Sequence, residues 1–166
     1  MANQIQNKQA GRYQPYPEYK DSNSRWYLKI PKSWERVALK YITANFVKDG
    51  PHETPKFINS GIPFLSVDSI QNNQLTFKNC RYISLEDHAR YSVKCRPSVG
   101  DILLGKAASI GKVALVTTSI DFNVWSPLAV ITPKNNKLSK YIFYSLQSTN
   151  LQTQCDLFSN SNTQKN

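Results

Sequence analysis

Residues 100–116 read Gly100-Asp101-Ile102-Leu103-Leu104-Gly105-Lys106-Ala107-Ala108-Ser109-Ile110-Gly111-Lys112-Val113-Ala114-Leu115-Val116. Two short aliphatic runs, Ile102–Leu104 and Val113–Val116, flank a loop of small residues. The turn Pro97-Ser98-Val99-Gly100-Asp101 precedes them. Short apolar runs bounded by glycine and turn residues are strand signals. The stretch therefore reads as two strands joined by loop 105–112. Its two inner glycines allow the backbone to approach another molecule closely. Lys106 and Lys112 bracket the loop with positive charge. Backbone amides and lysines suit a phosphodiester backbone, and Ser109 has a hydroxyl to offer a phosphate or a base edge. The same residues read equally well as a tight β-hairpin whose lysines are only solvated.

Downstream, Leu128–Ile131 reads as a buried strand. Leu138, Ile142, Leu146 and Leu151 then recur near helical spacing across residues 138–158, with Tyr141, Phe143 and Tyr144 adding apolar area. Upstream, Ile62–Ile70 is a strand candidate, Gln71-Asn72-Asn73 a polar turn, and Leu75-Thr76-Phe77 a second short strand. Ser84-Leu85-Glu86-Asp87-His88 opens a helix, with Ser84 as its cap and acidic residues in the first turn. Asp49-Gly50-Pro51 and Ser60-Gly61-Ile62-Pro63 are turn signals. Between them runs loop 49–57, stiffened by Pro51 and Pro55 and carrying His52, Thr54 and Lys56. A stiff loop loses less entropy on binding, although composition alone also suits a plain connection. Trp34–Leu39 alternates like a strand and Lys40–Phe46 suits a short helix; periodicity does not decide there. The chain thus divides into a polar, partly disordered leader (1–24), a body rich in strands and turns (25–158) and a polar tail (159–166).

The chain has 166 residues, which suits one domain. It carries 21 basic and 11 acidic residues, for a net charge of +10. That balance points to a polyanion, nucleic acid first and anionic membrane second. No apolar run reaches the ~18–20 residues of a membrane span. Met1–Ala10 is polar and is no secretory signal. Cys80, Cys95 and Cys155 are odd in number and widely spaced, as in reduced thiols of a cytoplasmic protein. With two histidines and no close cysteine pair, a zinc ribbon is excluded. His52 and His88 are the available bases, and Cys95 lies between Lys94 and Arg96, which would lower a thiol pKa. Surface histidines and a half-buried free cysteine are the plainer reading. No phosphate-binding glycine loop or dinucleotide fingerprint is present, and the acids are scattered. Nothing positive marks an enzyme. The pairs Arg25-Trp26-Tyr27, Arg81-Tyr82 and Arg90-Tyr91 suit stacking on single-stranded nucleic acid, or core edges with snorkelling cations.

Four segments together resemble a target recognition domain from the specificity subunit of type I restriction–modification enzymes. Tyr19-Lys20-Asp21-Ser22, Trp26, Ile30-Pro31 and Trp34-Glu35 resemble its lead-in, with Leu28 where a glycine usually stands. Asp49–Lys56 with Gly61-Ile62-Pro63-Phe64-Leu65-Ser66-Val67 resembles its most recognisable motif pair. Gly100–Leu104 followed by Ser109-Ile110-Gly111-Lys112-Val113-Ala114 resembles its hairpin. Tyr141–Leu146 with Ser148, then Thr163–Asn166, resembles its close.

The resemblance implies a mixed α/β (α+β) domain with a curved, mainly antiparallel sheet and peripheral helices. It implies recognition of one half-site of double-stranded DNA, without catalysis and with no cofactor in this chain. Methyltransferase subunits would carry S-adenosylmethionine, and a restriction/translocase subunit would join indirectly, with ATP and magnesium. The DNA contacts it implies, together with loop position and charge, are Thr54, Lys56, Lys106, Ser109 and Lys112, then His52 and Ser66. The tail would precede a spacer helix, making this one domain of a longer protein, a truncated gene product or a half-subunit. Two other roles stay open: a half-subunit acting on methyltransferase assembly, as in anti-restriction, and a module for RNA or single strands.

Overall fold

A computed structural model describes residues 14–159. The first part of the leader and all of the tail beyond Ser159 lie outside the described residues. The chain forms two compact units, divided between Arg36 and Val37.

The first unit is a hairpin of β1 (Tyr19–Ser24) and β2 (Tyr27–Pro31). Tyr19 pairs with Pro31 and Ser24 with Tyr27, with an irregularity between Asp21 and Ser24. Asn23 takes φ 52° there, and Ser22 Oγ accepts from Ser24 N–H at 3.1 Å. An ion pair, Lys32 to Glu18 at 2.6 Å, lies near the open end. Residues 19–24 read as patternless because almost no side chain of β1 is buried. A strand without an inner face shows no period of two.

In the second unit the strands are β3 (Lys48–Asp49), β4 (Ile62–Leu65), β5 (Ile70–Gln71), β6 (Gln74–Leu75) and β7 (Arg81–Ile83). Helix α1 (Leu85–Ser92) follows. Then come β8 (Ile102–Gly105), β9 (Val113–Leu115), β10 (Asn123–Val124) and β11 (Leu128–Ile131). Helices α2 (Ser139–Leu146) and α3 (Thr149–Phe158) close it. One sheet, wholly antiparallel, has the order β3-β11-β8-β9; a second, mixed sheet has the order β10-β4-β7, and β5 and β6 make a separate hairpin. Only the β10–β4 pair is parallel among these named strands. The architecture is mixed α+β and mainly antiparallel.

The stretch around residue 102 forms the hairpin its sequence suggests, with Leu103 opposite Ala114. Its runs do not alternate in polarity because both faces of the sheet are covered. Leu103, Ala114, Leu128 and Val130 pack with Leu65, Phe122 and Val124 on one side. Ile102, Val113 and Ile131 pack with Ile142 and Leu146 of α2 on the other. Asp101 is buried; its Oδ2 accepts from Ser98 N–H at 2.9 Å and from Ser98 Oγ at 3.2 Å. That closes the turn leading into β8.

Three segments differ from the sequence reading. The run Ile62–Ile70 is not one strand: β4 ends at Leu65 and a 3-10 turn spans Val67–Ser69, capped by Ser66. A local hydroxyl cap competes with ladder hydrogen bonds. Residues 34–38 form no strand, and Leu39–Tyr41 is a single 3-10 turn. The helical stretch 138–158 breaks after Leu146, where Ser148 Oγ caps α3 by accepting from Leu151 N–H at 3.4 Å. Ser84 caps α1 as its sequence suggests, accepting from Asp87 N–H at 3.1 Å. At Asn72-Asn73 both residues have positive φ, 51° and 59°, as a two-residue hairpin turn requires.

Candidate nucleic-acid interface

Loops 49–57 and 105–112 are far apart in sequence and meet in space. Strand β3 pairs with β11, and β11 with β8, so Asp49 and Leu104 both register on Ala129. That brings Asp49 to the start of the hairpin loop. Its Oδ2 accepts from Lys106 Nζ at 2.6 Å. Its Oδ1 accepts from Lys94 Nζ at 2.5 Å, just past the end of α1. His52 Nε2 lies 3.2 Å from Oδ2. The Asp49 side chain is 16% exposed, against 41% for Lys106, 52% for Lys94 and 72% for His52. An inner carboxylate therefore gathers two lysines and a histidine whose outer sides face water.

Burial alone would raise the Asp49 pKa, but hydrogen bonds and charge from Lys106 and Lys94 outweigh it and hold the carboxyl at about 2. A folded pKa below the ordinary 3.8 means stability present above about pH 4 and lost as pH falls toward 2. Because the lysines are partly solvated, the contribution is about 1 kcal/mol. In acid titrations of thermal stability, the advantage of wild type over Asp49→Asn should shrink between pH 4 and pH 2.

Four amides of the hairpin loop are bonded within the fold. Gly105 N–H donates to Lys112 O at 2.8 Å, Lys106 N–H to Pro127 O at 2.9 Å, Ser109 N–H to Ala107 O at 2.8 Å and Gly111 N–H to Gly105 O at 2.9 Å. Those four donors are not free for a phosphate, which narrows the backbone donors this loop has to offer. Gln152 of α3 braces the loop instead, its Nε2 donating to Gly111 O at 2.9 Å and Leu146 O at 2.6 Å. Gly111 has φ +86°, and a Cβ there would lie 2.4 Å from Gln152 Oε1. The glycine thus serves internal fit.

The end of α1 forms the third side. Arg90 Nη1 pairs with Glu53 Oε1 at 2.9 Å and Nη2 with Asp87 Oδ1 at 2.8 Å. Tyr91 OH donates to Glu53 Oε1 at 2.9 Å. Burial, and then Glu53, push the Tyr91 hydroxyl up to about 12. Pro51, His52, Glu53, Arg90, Tyr91 and Lys94 line a cleft of about 430 Å³ here.

Of the residues singled out in the sequence, His52 and Lys106 share Asp49. Thr54 and Lys56 are exposed on the same loop, and Ser109 and Lys112 are half-buried in the hairpin. No hydrogen bond or ion pair joins these four to the Asp49 cluster among the described residues. Ser66 is committed to its cap, accepting from Asp68 N–H at 3.4 Å. Lys94, Arg90 and Asp49 are not among the contacts predicted from sequence: Asp49 reads there as part of a turn and motif, and Arg90 as a basic–aromatic pair with Tyr91. Lys94 stands out in the sequence only as a neighbour of Cys95, and nothing in one dimension places residue 94 beside 49. Burial in fact pushes the Cys95 thiol up, to about 11. His88 is also engaged, with Nδ1 2.6 Å from Asn123 Oδ1 and Nε2 3.2 Å from Asp121 Oδ2. It ties α1 to the segment entering β10.

A patch of lysines over converging loops is the footprint of phosphate binding. The profile of a family described as type I restriction modification DNA specificity domain matches residues 31–166. The chain belongs to that family. A search of curated proteins finds no match to it. As a type I specificity domain it has a DNA-recognition role in restriction–modification, and the family is a recognition module, not a catalytic one. Among the described residues, no helix is long and apolar enough to cross a membrane. No group of three or more His, Cys, Asp or Glu is placed to hold a metal ion among them either.

Proposed function

We propose that this specificity domain reads one half-site of a bipartite duplex for a type I restriction–modification complex. Methylation and cleavage belong to partner subunits, which hold S-adenosylmethionine, ATP and magnesium. The observation that carries this is the meeting of loops 49–57 and 105–112 with the end of α1 around Asp49, which turns Lys94, Lys106 and His52 outward together. Lys56, Lys106 and Lys112 then bind phosphates and set the register. Thr54, His52 and Ser109 face base edges, where hydroxyl and imidazole groups donate or accept. Ser66 supports β4 through its cap.

The test is duplex binding by fluorescence anisotropy between 50 and 200 mM salt. Lys106→Ala/Lys112→Ala should bind about fiftyfold more weakly at 100 mM salt and flatten the slope of log K against log salt by about 1.8, as expected for two lost phosphate contacts. Unchanged binding would assign these loops to fold support. A single strand that competes better than duplex would favour a single-strand module. Co-purification with a methyltransferase subunit without duplex binding would favour a role in assembly.

A further inference from the structure

We infer that Asp49 is an electrostatic brake on DNA binding: it holds Lys94 and Lys106 in the free protein and keeps affinity for every duplex below what those lysines would otherwise provide. The inference rests on the DNA reading above.

The geometry is specific. The two lysines come from different elements, 45 and 57 residues from Asp49, and each takes its own carboxylate oxygen. His52 joins on Oδ2. No other hydrogen-bond or ion-pair partner of the Asp49 carboxylate is found among the described residues. Lys94 has a second acceptor, Gly50 O at 3.1 Å, so it stays near the loop even without the acid. The carboxylate is the least exposed member of the group and lies beneath the lysine heads. A phosphate drawn to Lys94 and Lys106 must therefore approach a fixed negative charge and share both donors with it.

Phosphate binding gains from released counterions in proportion to the charge neutralised. Two lysines over one carboxylate present about one net positive charge, and two over a neutral amide present two. The acid thus removes about one phosphate's worth of attraction without touching a base. This term is independent of sequence, so the brake lowers cognate and non-cognate affinity alike. Its effect is to shorten residence on DNA, leaving base contacts to decide where the domain stays.

The full chain, wild type and Asp49→Asn, would be titrated by anisotropy with a random-sequence 30-bp duplex from 50 to 200 mM salt. Asp49→Asn should bind about tenfold tighter at 100 mM salt, with a log K against log salt slope steeper by about one. In a Lys94→Gln/Lys106→Gln background no donor draws a phosphate onto the carboxylate, which then acts only through screened distance, so the same substitution should raise affinity by clearly less, about threefold or under. Asp49→Ser carries the same expectations if Asp49→Asn fails to fold. Binding that is unchanged or weaker in a folded Asp49 variant overturns the inference, as does an equal gain in the lysine-free background. Absence of duplex binding by wild type removes the DNA reading itself. Binding by wild type that Asp49→Asn leaves unmoved removes the brake alone.

Discussion

Gly50→Ala is expected to lower the melting midpoint of the residue 37–159 unit by about 6–12 °C, from a loss of about 3 kcal/mol. A Cβ at this position would lie 1.6 Å from Val124 O, 2.6 Å from Val124 C and 3.0 Å from Trp125 C. Those atoms are backbone of β10 and the residue after it, so no flexible side chain is free to yield. Strand β10 is itself fixed, with Val124 paired to Leu65 of β4 and 1% exposed. The substitution must push β3 and loop 49–57 away from that backbone. It should also disturb the Asp49 cluster, because Gly50 O accepts from Lys94 at 3.1 Å. Calorimetry of the variant checks this. A shift under about 2 °C would show that the two segments separate at little cost.

Phe122→Ala should cost about 3–5 kcal/mol. Phe122 is 1% exposed and packs edge-to-face on Phe77, ring centres 5.6 Å apart at 84°. Around it are Leu65, Leu103, Leu128 and Val130, drawn from both larger sheets. Truncation removes apolar contact between those sheets and leaves a cavity that close-packed strands cannot collapse to fill. Denaturant unfolding followed by tryptophan fluorescence should show a lower midpoint with an unchanged slope. A loss below about 1.5 kcal/mol would mean that the Phe77 side relaxes into the space.

Both substitutions mark where the sequence was readable and where it was not. Leu128–Ile131 was recognisable because a strand covered on both faces is apolar throughout. Ser84 was recognisable because capping is local and needs only a hydroxyl three residues before its donor. The break at Gln147-Ser148 was hidden, since Leu151 falls near helical spacing from Leu146 whether or not the axis bends there. Strand β1 was hidden because it buries too little to leave a pattern.

The candidate interface divides the same way. Both loops could be picked out from charge, small residues and motif, and the family match agrees with that motif. The state of their groups could not. The amides of Gly105, Lys106, Ser109 and Gly111 are already bonded within the fold. Lys106 is tied to Asp49 across 57 residues, and Arg90 is bound to Glu53 and Asp87.

By itself the sequence determined the net positive charge, the hairpin around residue 102, the cap of α1, the mixed α+β class and the type I specificity family. These depend on composition, on order along the chain or on contacts a few residues apart. Tertiary structure alone decided which lysines carry a counter-ion, which amides are spent and which three segments share one surface. Those outcomes depend on strand pairing: only β3 against β11 and β11 against β8 bring residue 49 to residue 106.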